Sequence, residues 1–445
     1  MSVDDTRTKI LPLILGEKKS ERAMQSLEAA RELLADDAEF IEPQAMPDSR
    51  TPLEVGDCDA VAVSPPLSVA SYADAIAGAG KPVLLLEPHC AFHPYQAGAR
   101  AALTAAGGRV LPTDSPEAIL NSVRAIAAMK RLRSSKALLF VGDPGSYSDL
   151  EETAESMLGV NVEVRDVEEL KEEARGVPDA TAASTLAEWK EKTFSRIDGV
   201  ADEHLAEVAR LYHAEKNLLA RHGANALGVE EFDPFLHQKL PMPNVTYALL
   251  KDEGIVCTEE ADLGCLLTQL LMYAASGEQN TMSNIYMAFR SELEKRGPSA
   301  GYTPQMQLAD YNECLADNCL VVSHFSTAGS LPRNMMVEDT WEVRETIGAW
   351  PDQSMVYSTP KTGPVTLARL DQGLEHLDVY PAETAEVRKF DHLGWYRCRW
   401  LVRVGSAKTF VDTAIHHHYA IAPGHPDPVL RTLVTRLLGI RIRRY

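Results

Sequence analysis

The sequence predicts an α/β protein with two Rossmann-like, doubly wound α/β domains followed by an antiparallel, β-barrel-like C-terminal domain. A length of 445 residues exceeds what one hydrophobic core usually supports, so two or three domains are expected. Short apolar runs alternate with helical stretches over much of the chain, which is typical of parallel sheets covered by helices. From about residue 340 the runs become rich in Val, Thr, Trp and Tyr between Gly and Pro, which favours antiparallel strands.

Residues 1–131 are predicted to form the first Rossmann-like domain. Its strand-like runs are KILPLIL, DAVAVSPP, KPVLLLEP and GGRVLPT. The helical stretches between them are ERAMQSLEAARELLA, SYADAIAGAG and AGARAALTAAG. The basic helix AAMKRLRSS ends this series and the alternation restarts after it, which places the domain boundary near residue 131.

Residues 132–330 are predicted to form the second Rossmann-like domain. It opens with the strand KALLFVGDPGS, the helix DLEETAESMLG and the strand NVEVRDV, and polar surface helices are expected over residues 177–222. The loop GDPGS could cradle a phosphate on its backbone amides. It matches neither the G-x-G-x-x-G pattern nor the P-loop pattern, so an ordinary strand-to-helix turn is the better interpretation.

Residues 331–445 are predicted to form the β-barrel-like domain. Its strand-like runs are TWEVRETIGAW, PVTLARLDQG, YRCRWLVRVG and KTFVDTAIHHHYAIAPG. The amphipathic helix PDPVLRTLVTRLLGI is expected to close this domain.

Composition and charge argue against several classes of partner and location. A formal net charge of -20 disfavours nucleic acid, because phosphate binding needs a basic surface. No apolar run approaches roughly eighteen residues, so no membrane-spanning helix is expected. The N-terminus lacks a basic region before its apolar run, which argues against a secretory signal. The seven cysteines form no C-x-x-C pair, which predicts reduced thiols in a cytoplasmic protein.

Carboxylates and histidines recur at predicted strand ends. Glu259, Glu260 and Asp262 lie where the strand GIVCT gives way to a helix. A helix cap by Glu260 or Asp262 is one interpretation. The other is a ligand site, because open α/β sheets bind ligands outside the carboxyl ends of their strands.

Further charged residues follow other strand-like runs, namely Glu230, Glu231, Asp233, Asp310 and His324. Each one alone is better explained as a surface charge or a hydrogen-bonded core histidine. As a set, oxygen ligands with an imidazole suit a hard divalent ion such as Mn or Mg better than structural zinc.

Three consecutive histidines, His416, His417 and His418, interrupt the apolar segment TAIHHHYAIAPGH. In an extended strand, His416 and His418 would share one face and His417 would take the other. A buried imidazole needs a partner, and a bound metal is one candidate. The alternative is that these histidines only pack.

These segments resemble the L-fucose/L-arabinose isomerase superfamily of metal-dependent aldose–ketose isomerases, and the fucose type more closely. The similar segments are TEEADLGCLLTQLL, QLADYNE, CLVVSHFSTAG and HHHYAIAPGHPDPVLRTLVTRLLGI, so the resemblance covers roughly residues 225–445. Ala309 and Val322 lie at or near the places where the arabinose type has metal-binding glutamates. The likeness therefore indicates a divergent relative.

The resemblance implies a divalent metal, with Mn first and Mg or Co as alternatives, held by Glu231, Asp262 and His418. Glu231 and Asp262 would also be catalytic and would move protons through an enediol intermediate. The residues expected to contact the substrate or support the ligands are Glu260, Asp310, His324 and His416. Which of Glu230, Glu231 and Glu260 is the partner carboxylate stays open.

The expected function is thus a metal-dependent ketol isomerase acting on a sugar or sugar derivative. The resemblance also implies a homo-oligomer, a trimer or a hexamer. Two alternatives stay open: other metal-enediolate chemistry on this scaffold, as in an epimerase, aldolase or lyase, and a non-catalytic sugar-binding protein. The sequence does not reveal which sugar is bound.

Overall fold

The computed structural model describes residues 7–16, 21–64, 69–87, 94–230, 240–286, 318–324, 330–345, 353–389 and 398–445. The chain is mixed α/β, with two parallel sheets and a closed, six-stranded antiparallel barrel. It divides into two compact units. The first comprises Met1–Arg133, Ala274–Ser276 and Pro426–Arg441, and the second comprises Ser134–Tyr273, Gly277–His425 and Ile442–Tyr445.

The first unit contains a parallel sheet with strand order β2-β1-β4-β5, in which β3 also pairs with β1. Its strands are β1 (Thr8–Leu15), β2 (Ala38–Phe40), β3 (Gln44–Met46), β4 (Ala60–Val63) and β5 (Val83–Leu85). Its helices are α1 (Glu21–Leu33), α2 (Ala73–Gly78), α3 (Pro94–Ala105) and α4 (Pro116–Arg133). All four residues of β4 are buried, as expected for a parallel strand covered on both faces.

One predicted strand of this unit is nearly absent. In the run GGRVLPT only Val110 forms a bridge, a single parallel pairing with Val83. The glycine pair that precedes it explains the short pairing, since glycine weakens strands.

The second unit contains a parallel sheet with strand order β10-β9-β6-β7. Its first elements are β6 (Lys136–Val141), α5 (Ser148–Leu158), β7 (Asn161–Asp166), α6 (Val167–Gly176), α7 (Asp179–Glu188), β8 (Phe194–Asp198) and α8 (Asp202–His222). There follow β9 (Ala226–Val229), α9 (Asn244–Asp252), β10 (Val256–Thr258) and α10 (Leu263–Ser276). The run of polar helices predicted over residues 177–222 thus contains a strand, β8.

The barrel has the strand order β15-β18-β11-β12-β17-β16, and β15 pairs with β16 to close it. These strands are β11 (Thr281–Tyr286), β12 (Cys319–Ser323), β15 (Gly363–Leu370), β16 (His376–Lys389), β17 (Cys398–Val404) and β18 (His418–Pro423). Large side chains such as Trp400, Tyr380 and Tyr419 fill its core. Two barrel strands, β11 and β12, precede residue 331, where the third domain was predicted to begin.

The predicted barrel strand TWEVRETIGAW lies elsewhere, so this expectation was wrong. β13 (Trp341–Glu345) pairs in parallel with β8 and antiparallel with β14 (Ser354–Tyr357), forming a separate three-stranded sheet. The reason is packing, because the indole of Trp341 is fully buried in a cluster with Trp189 and Phe194.

The segment KTFVDTAIHHHYAIAPG is not one continuous strand, contrary to the prediction. It forms α11 (Ala407–Thr413), capped by Ser406, and then β18, which begins only at His418. His416 and His417 therefore precede the strand, and the argument from alternating strand faces does not apply to them. The predicted closing helix is α12 (Asp427–Arg431), continued by a π-helical segment (Thr432–Leu437), and β19 (Arg441–Arg444) follows.

No helix within the described ranges combines the length and the apolarity that a membrane crossing requires.

Candidate metal centre

Polar residues collect at the carboxyl edge of the parallel sheet in the second unit. β6, β9 and β10 run parallel as neighbours, so the residues that follow them emerge at one edge. Glu230 follows β9, and its Oε2 accepts a hydrogen bond of 2.7 Å from the backbone N–H of Gly142, after β6. The pKa of Tyr147, in the same loop, is raised by burial and by the charges of Glu230 and Asp262. The loop GDPGS thus faces carboxylates, which disfavours the phosphate interpretation.

A strained turn follows β10. Glu260 and Ala261 have φ angles of 58° and 48°, in the left-handed region that non-glycine residues rarely adopt. Such conformations cost on the order of 1–3 kcal/mol each and persist only where their surroundings hold them, commonly at functional sites. The turn directs the half-buried Glu260 side chain toward the barrel histidines.

Glu259 anchors this turn in the interior. Its fully buried carboxylate accepts hydrogen bonds from the backbone N–H of Ser330, at 3.0 Å, and from the Ser330 hydroxyl, at 2.6 Å. The fully buried ammonium of Lys251 donates to that hydroxyl at 2.7 Å. Burial raises the pKa of Glu259, but the charges of Lys251 and His324 and the Ser330 bonds outweigh it, so the net pKa shift is downward.

Asp262 connects the turn to the barrel. Its Oδ1 accepts from the backbone N–H of Cys265 at 2.9 Å, which confirms the helix-cap interpretation for this residue. Its Oδ2 accepts from Nη1 of the buried Arg369 at 2.8 Å and lies 2.8 Å from Nδ1 of His418. Burial opposes ionisation, yet the His418 bond and the Arg369 guanidinium hold the pKa of Asp262 well below its usual range.

The barrel brings two histidines to the same end. Asn284 of β11 pairs with Ser323 of β12 on one side and with His418 of β18 on the other. His324 directly follows Ser323, so its ring lies close to that of His418, with 5.7 Å between their centroids. Both side chains are buried.

Glu260, His324 and His418 form a group that could hold a metal ion. Nε2 of His324 lies 3.2 Å from Glu260 Oε1, and Nε2 of His418 lies 3.4 Å from Glu260 Oε2. Two ligand atoms bound at about 2.1 Å, with angles between octahedral and tetrahedral, are separated by about 3.0 to 3.4 Å. Each histidine lies within this range of one Glu260 oxygen, and one ligand atom from each of the three residues lies within 4.8 Å of the others.

The contacts of His418 also fit an ion. Its Nδ1 lies 2.8 Å from Asp262 Oδ2, so Nε2 is the nitrogen that faces Glu260. That Nε2 is buried and has no hydrogen-bond partner among the described residues, although it faces a carboxylate oxygen. A buried polar atom needs a partner, and a cation held between His418 Nε2 and Glu260 would supply one.

A second group that could hold an ion consists of His416, His417 and His418. His416 is half-buried and His417 is exposed. The backbone N–H of His418 donates to Nδ1 of His416 at 3.1 Å. Burial, helped by the nearby Arg369, lowers the pKa of His416 to about 4, so this ring is neutral at neutral pH.

A pocket of about 420 Å³ lies beside these residues. Arg369 and His416 line it, together with Asp371, Gln372 and Ile415. Since Arg369 also binds Asp262, and His416 Nδ1 lies 3.7 Å from Asp262 Oδ2, the pocket adjoins the cluster that contains Asp262 and His418. Its size and polar lining suit a small hydroxylated molecule.

The structure brings together most of the site residues predicted from sequence. Glu260, Asp262, His324, His416 and His418 lie in one cluster, as the distances above show. Glu231 and Asp310 lie outside the described residues, so their roles stay predictions. Asp262 contacts a histidine and an arginine, whereas Glu260 and His324 face the position expected for the ion.

Sequence reasoning missed Arg369, Lys251 and Ser330. A usable signal existed for the two cations, because each is a single charge within an apolar run, LAR in β15 and ALLK in α9. Buried cations need a carboxylate partner, and the sequence had already indicated Glu259 and Asp262 as candidate carboxylates. Ser330 gave no such signal.

Comparison with models of known protein families found no match for this chain, and comparison with curated proteins found none either. The resemblance to the isomerase superfamily therefore stays a prediction.

Proposed function

We propose that this chain is a metal-dependent aldose–ketose isomerase acting on a sugar or sugar derivative, with its ion bound by Glu260, His324 and His418. The observation that supports it best is that one carboxylate and two buried imidazoles each offer a ligand atom within 4.8 Å of the others. The choice of Mn²⁺ first, with Co²⁺ or Mg²⁺ as alternatives, rests on the sequence resemblance. The reaction type rests on the sequence resemblance.

In this proposal Asp262 orients a ligand, a role different from the direct ligation expected from the sequence. Its two oxygens are already engaged by the α10 cap, by Arg369 and by His418. A carboxylate that accepts from the second nitrogen of a metal-binding histidine fixes its tautomer and raises its basicity. Arg369 keeps that carboxylate ionised.

When bound, the ion would polarise the sugar carbonyl and lower the pKa of the neighbouring hydroxyl. The chain must then supply a base that moves a proton between C1 and C2. Glu231 is the base expected from the resemblance, and its described neighbour Glu230 is one of the carboxylates at the same sheet edge. The polar pocket beside His416 would hold the remaining hydroxyls of the sugar.

Metal analysis tests the site. Untagged protein would be stripped with a chelator, reconstituted with Mn²⁺, and measured by elemental analysis beside Glu260→Gln and a histidine control, His425→Ala. His425 bonds Thr366 at 3.2 Å and has no place in the proposed ligand set. We expect one ion per chain in the wild type and in the control, and loss of that ion in Glu260→Gln. A wild type that binds no divalent ion after reconstitution rejects the proposal.

Incubation of a panel of aldoses and ketoses in D₂O, followed by NMR, tests the reaction. An isomerase interconverts the two sugars with deuterium entering at C1 or C2. Inversion without a change of carbonyl position would instead indicate an epimerase, and smaller fragments would indicate an aldolase or lyase. Sugar binding without any of these products would indicate a binding protein.

We further infer that both parallel sheets belong to Rossmann-like domains, since helices separate their parallel strands, and that the chain assembles as a trimer or hexamer in the cytoplasm. The oligomeric state follows from the resemblance alone. Light scattering on the purified protein measures it directly.

A further inference from the structure

We propose that His416, His417 and His418 form a second metal site, selective for ions that prefer imidazole ligands, such as Ni²⁺, Zn²⁺ and Cu²⁺. An ion at this site would displace the ion held by Glu260, His324 and His418, because the two sites share His418. This displacement rests on the proposed function, whereas metal binding by the three consecutive histidines does not.

The geometry of the three rings carries the proposal. Their centroids lie 4.5 Å apart for His416 and His417, 4.0 Å for His417 and His418, and 5.2 Å for His416 and His418. One nitrogen of each ring can be chosen so that all three lie within 4.8 Å of one another. Rotation of the exposed His417 ring, together with a shift of the half-buried His416 ring, would be needed to bring these atoms to the separation of about 3.0 to 3.4 Å that one ion requires.

Access and donor type distinguish this site from the first. Burial changes from exposed His417 through half-buried His416 to buried His418, so an ion can enter from solvent. All three donors are nitrogen, whereas Glu260 contributes oxygen to the other group. Imidazole sets favour Ni²⁺, Cu²⁺ and Zn²⁺, whereas carboxylate ligands favour Mg²⁺ and Mn²⁺.

His418 cannot serve both ions in full. Its Nε2 faces Glu260 at 3.4 Å, and its Nδ1 faces Asp262 at 2.8 Å. A second ion that takes Nε2 removes a ligand from the first site. A second ion that takes Nδ1 breaks the bond to Asp262 that orients the ring.

The test isolates the second site by disabling the first. Ni²⁺ would be titrated calorimetrically into untagged, chelator-stripped Glu260→Gln, and into the same protein with His417→Ala or with the control substitution His425→Ala added. Removing even an outer partner of a metal ligand typically weakens binding by about tenfold or more. We therefore expect His417→Ala to raise the Kd for Ni²⁺ at least about tenfold, and His425→Ala to leave it unchanged.

Two results would overturn the proposal: Glu260→Gln binding no Ni²⁺, or binding it equally with and without His417. Neither result touches the proposed function, which depends on Mn²⁺ binding by the wild type. Competition of the two ions for His418 is measured separately, by the EPR signal of free Mn²⁺. Ni²⁺ is expected to release Mn²⁺ from the wild type at lower concentrations than from His417→Ala, and equal release from both would reject the competition.

Discussion

At the scale of single residues, Asp262 is the carboxylate through which α10 and the barrel meet at the candidate site. Its Oδ1 caps α10, and its Oδ2 accepts a hydrogen bond from Arg369 and contacts Nδ1 of His418. Removing its charge leaves the buried guanidinium of Arg369 without a counter-charge. A lone buried charge of this kind costs about 3–5 kcal/mol.

Asp262→Asn is therefore expected to lower the free energy of unfolding at pH 7 by about 3–5 kcal/mol. The wild-type contribution has a defined pH window. Because the folded pKa lies below the unfolded value, this stability is complete above about pH 4 and is lost as the pH falls further. Urea unfolding at pH 7 and pH 3 measures both effects. Asp412→Asn, which breaks only an exposed pair with Lys408, is the control and should cost under about 0.5 kcal/mol.

Gly264 provides the space that the Arg369 guanidinium occupies. A Cβ at this position would lie 2.9 Å from Arg369 Nη2 and 3.3 Å from its Cζ. The guanidinium is buried and bound to Asp262, so it cannot move aside without weakening that pair. Gly264→Ala is expected to reduce Mn²⁺ affinity by about threefold to tenfold and stability by about 1–2 kcal/mol.

The matched control for Gly264→Ala is Gly405→Ala, where an added Cβ meets no atom within 4 Å. Calorimetric titration and thermal unfolding of both variants give the comparison. Equal behaviour of the two variants would show that the Arg369 contact has no role in the site.

At the scale of elements, two buried charges anchor the strained turn after β10. Lys251 in α9 and Glu259, directly after β10, meet through the Ser330 hydroxyl, and all three residues are buried. These contacts fix the residue immediately before Glu260. We regard them as the main reason that its left-handed conformation persists.

A double-mutant cycle tests this anchor. Lys251→Met leaves the Glu259 carboxylate buried without a counter-charge and is expected to cost about 3–5 kcal/mol. Lys251→Met with Glu259→Gln removes both charges and should recover a large part of that loss. Metal affinity should stay low in the double variant, because the neutral pair holds the turn less firmly. Full recovery of stability together with wild-type Mn²⁺ affinity would show that the pair does not position Glu260.

Helix α8 contains a different buried carboxylate, Glu215. Burial raises its pKa to about 8, and Thr246 only partly opposes this shift. Between about pH 4.5 and pH 8 the folded state holds a proton that the unfolded state has lost, so stability falls as the pH rises through this window. The loss is on the order of 5 kcal/mol.

Glu215→Gln is expected to abolish that part of the pH dependence, because the amide does not ionise. Urea unfolding of both proteins at pH 5.5, 7 and 8.5 measures the difference in slope. A wild type whose stability relative to Glu215→Gln is constant over this range would contradict the assignment.

The elements also show what the sequence could predict. Apolar runs flanked by helices located β1, β4, β5 and β6, since burial on both faces gives an unmistakable pattern. The edge strand β7, in which only Val162 is buried, was located by its alternating pattern. The pattern could not tell which sheet a strand joins. TWEVRETIGAW resembles a barrel strand, and only the buried position of Trp341 beside Phe194 decides its pairing with β8.

The site was predictable in its residue types and only partly in its roles. Strand ends indicated Glu260, Asp262 and His324, and the histidine run with its resemblance indicated His418. The parallel-edge argument holds for the two carboxylates, whereas both histidines lie on antiparallel barrel strands or directly after one. Sequence position cannot show which oxygen faces which nitrogen. The sequence predicted Asp262 as a metal ligand and Glu260 as a supporting residue. The left-handed turn at Glu260 and the Arg369 contact to Asp262 favour the opposite assignment.

At the scale of the whole molecule, metal binding should appear as stability. A ligand that binds only the folded state stabilises it by about 2.7 kcal/mol at a hundred times its Kd. For a unit of this size that corresponds to a rise in Tm on the order of 5 °C. The formal charge of -20 adds a second effect, since any salt screens the repulsion among carboxylates and also raises the Tm.

The comparison must therefore hold ionic strength constant. With NaCl adjusted to match, Mn²⁺ is expected to raise the Tm of the wild type and of His425→Ala by several degrees, and to leave Glu260→Gln unchanged. Scanning calorimetry over a range of Mn²⁺ concentrations should also show a Tm that keeps rising with the logarithm of the free ion, since specific binding acts by mass action. An equal rise in Glu260→Gln would mean that Mn²⁺ acts through the acidic surface, and the buried cluster of Glu260, His324 and His418 would then be a hydrogen-bonded group without an ion.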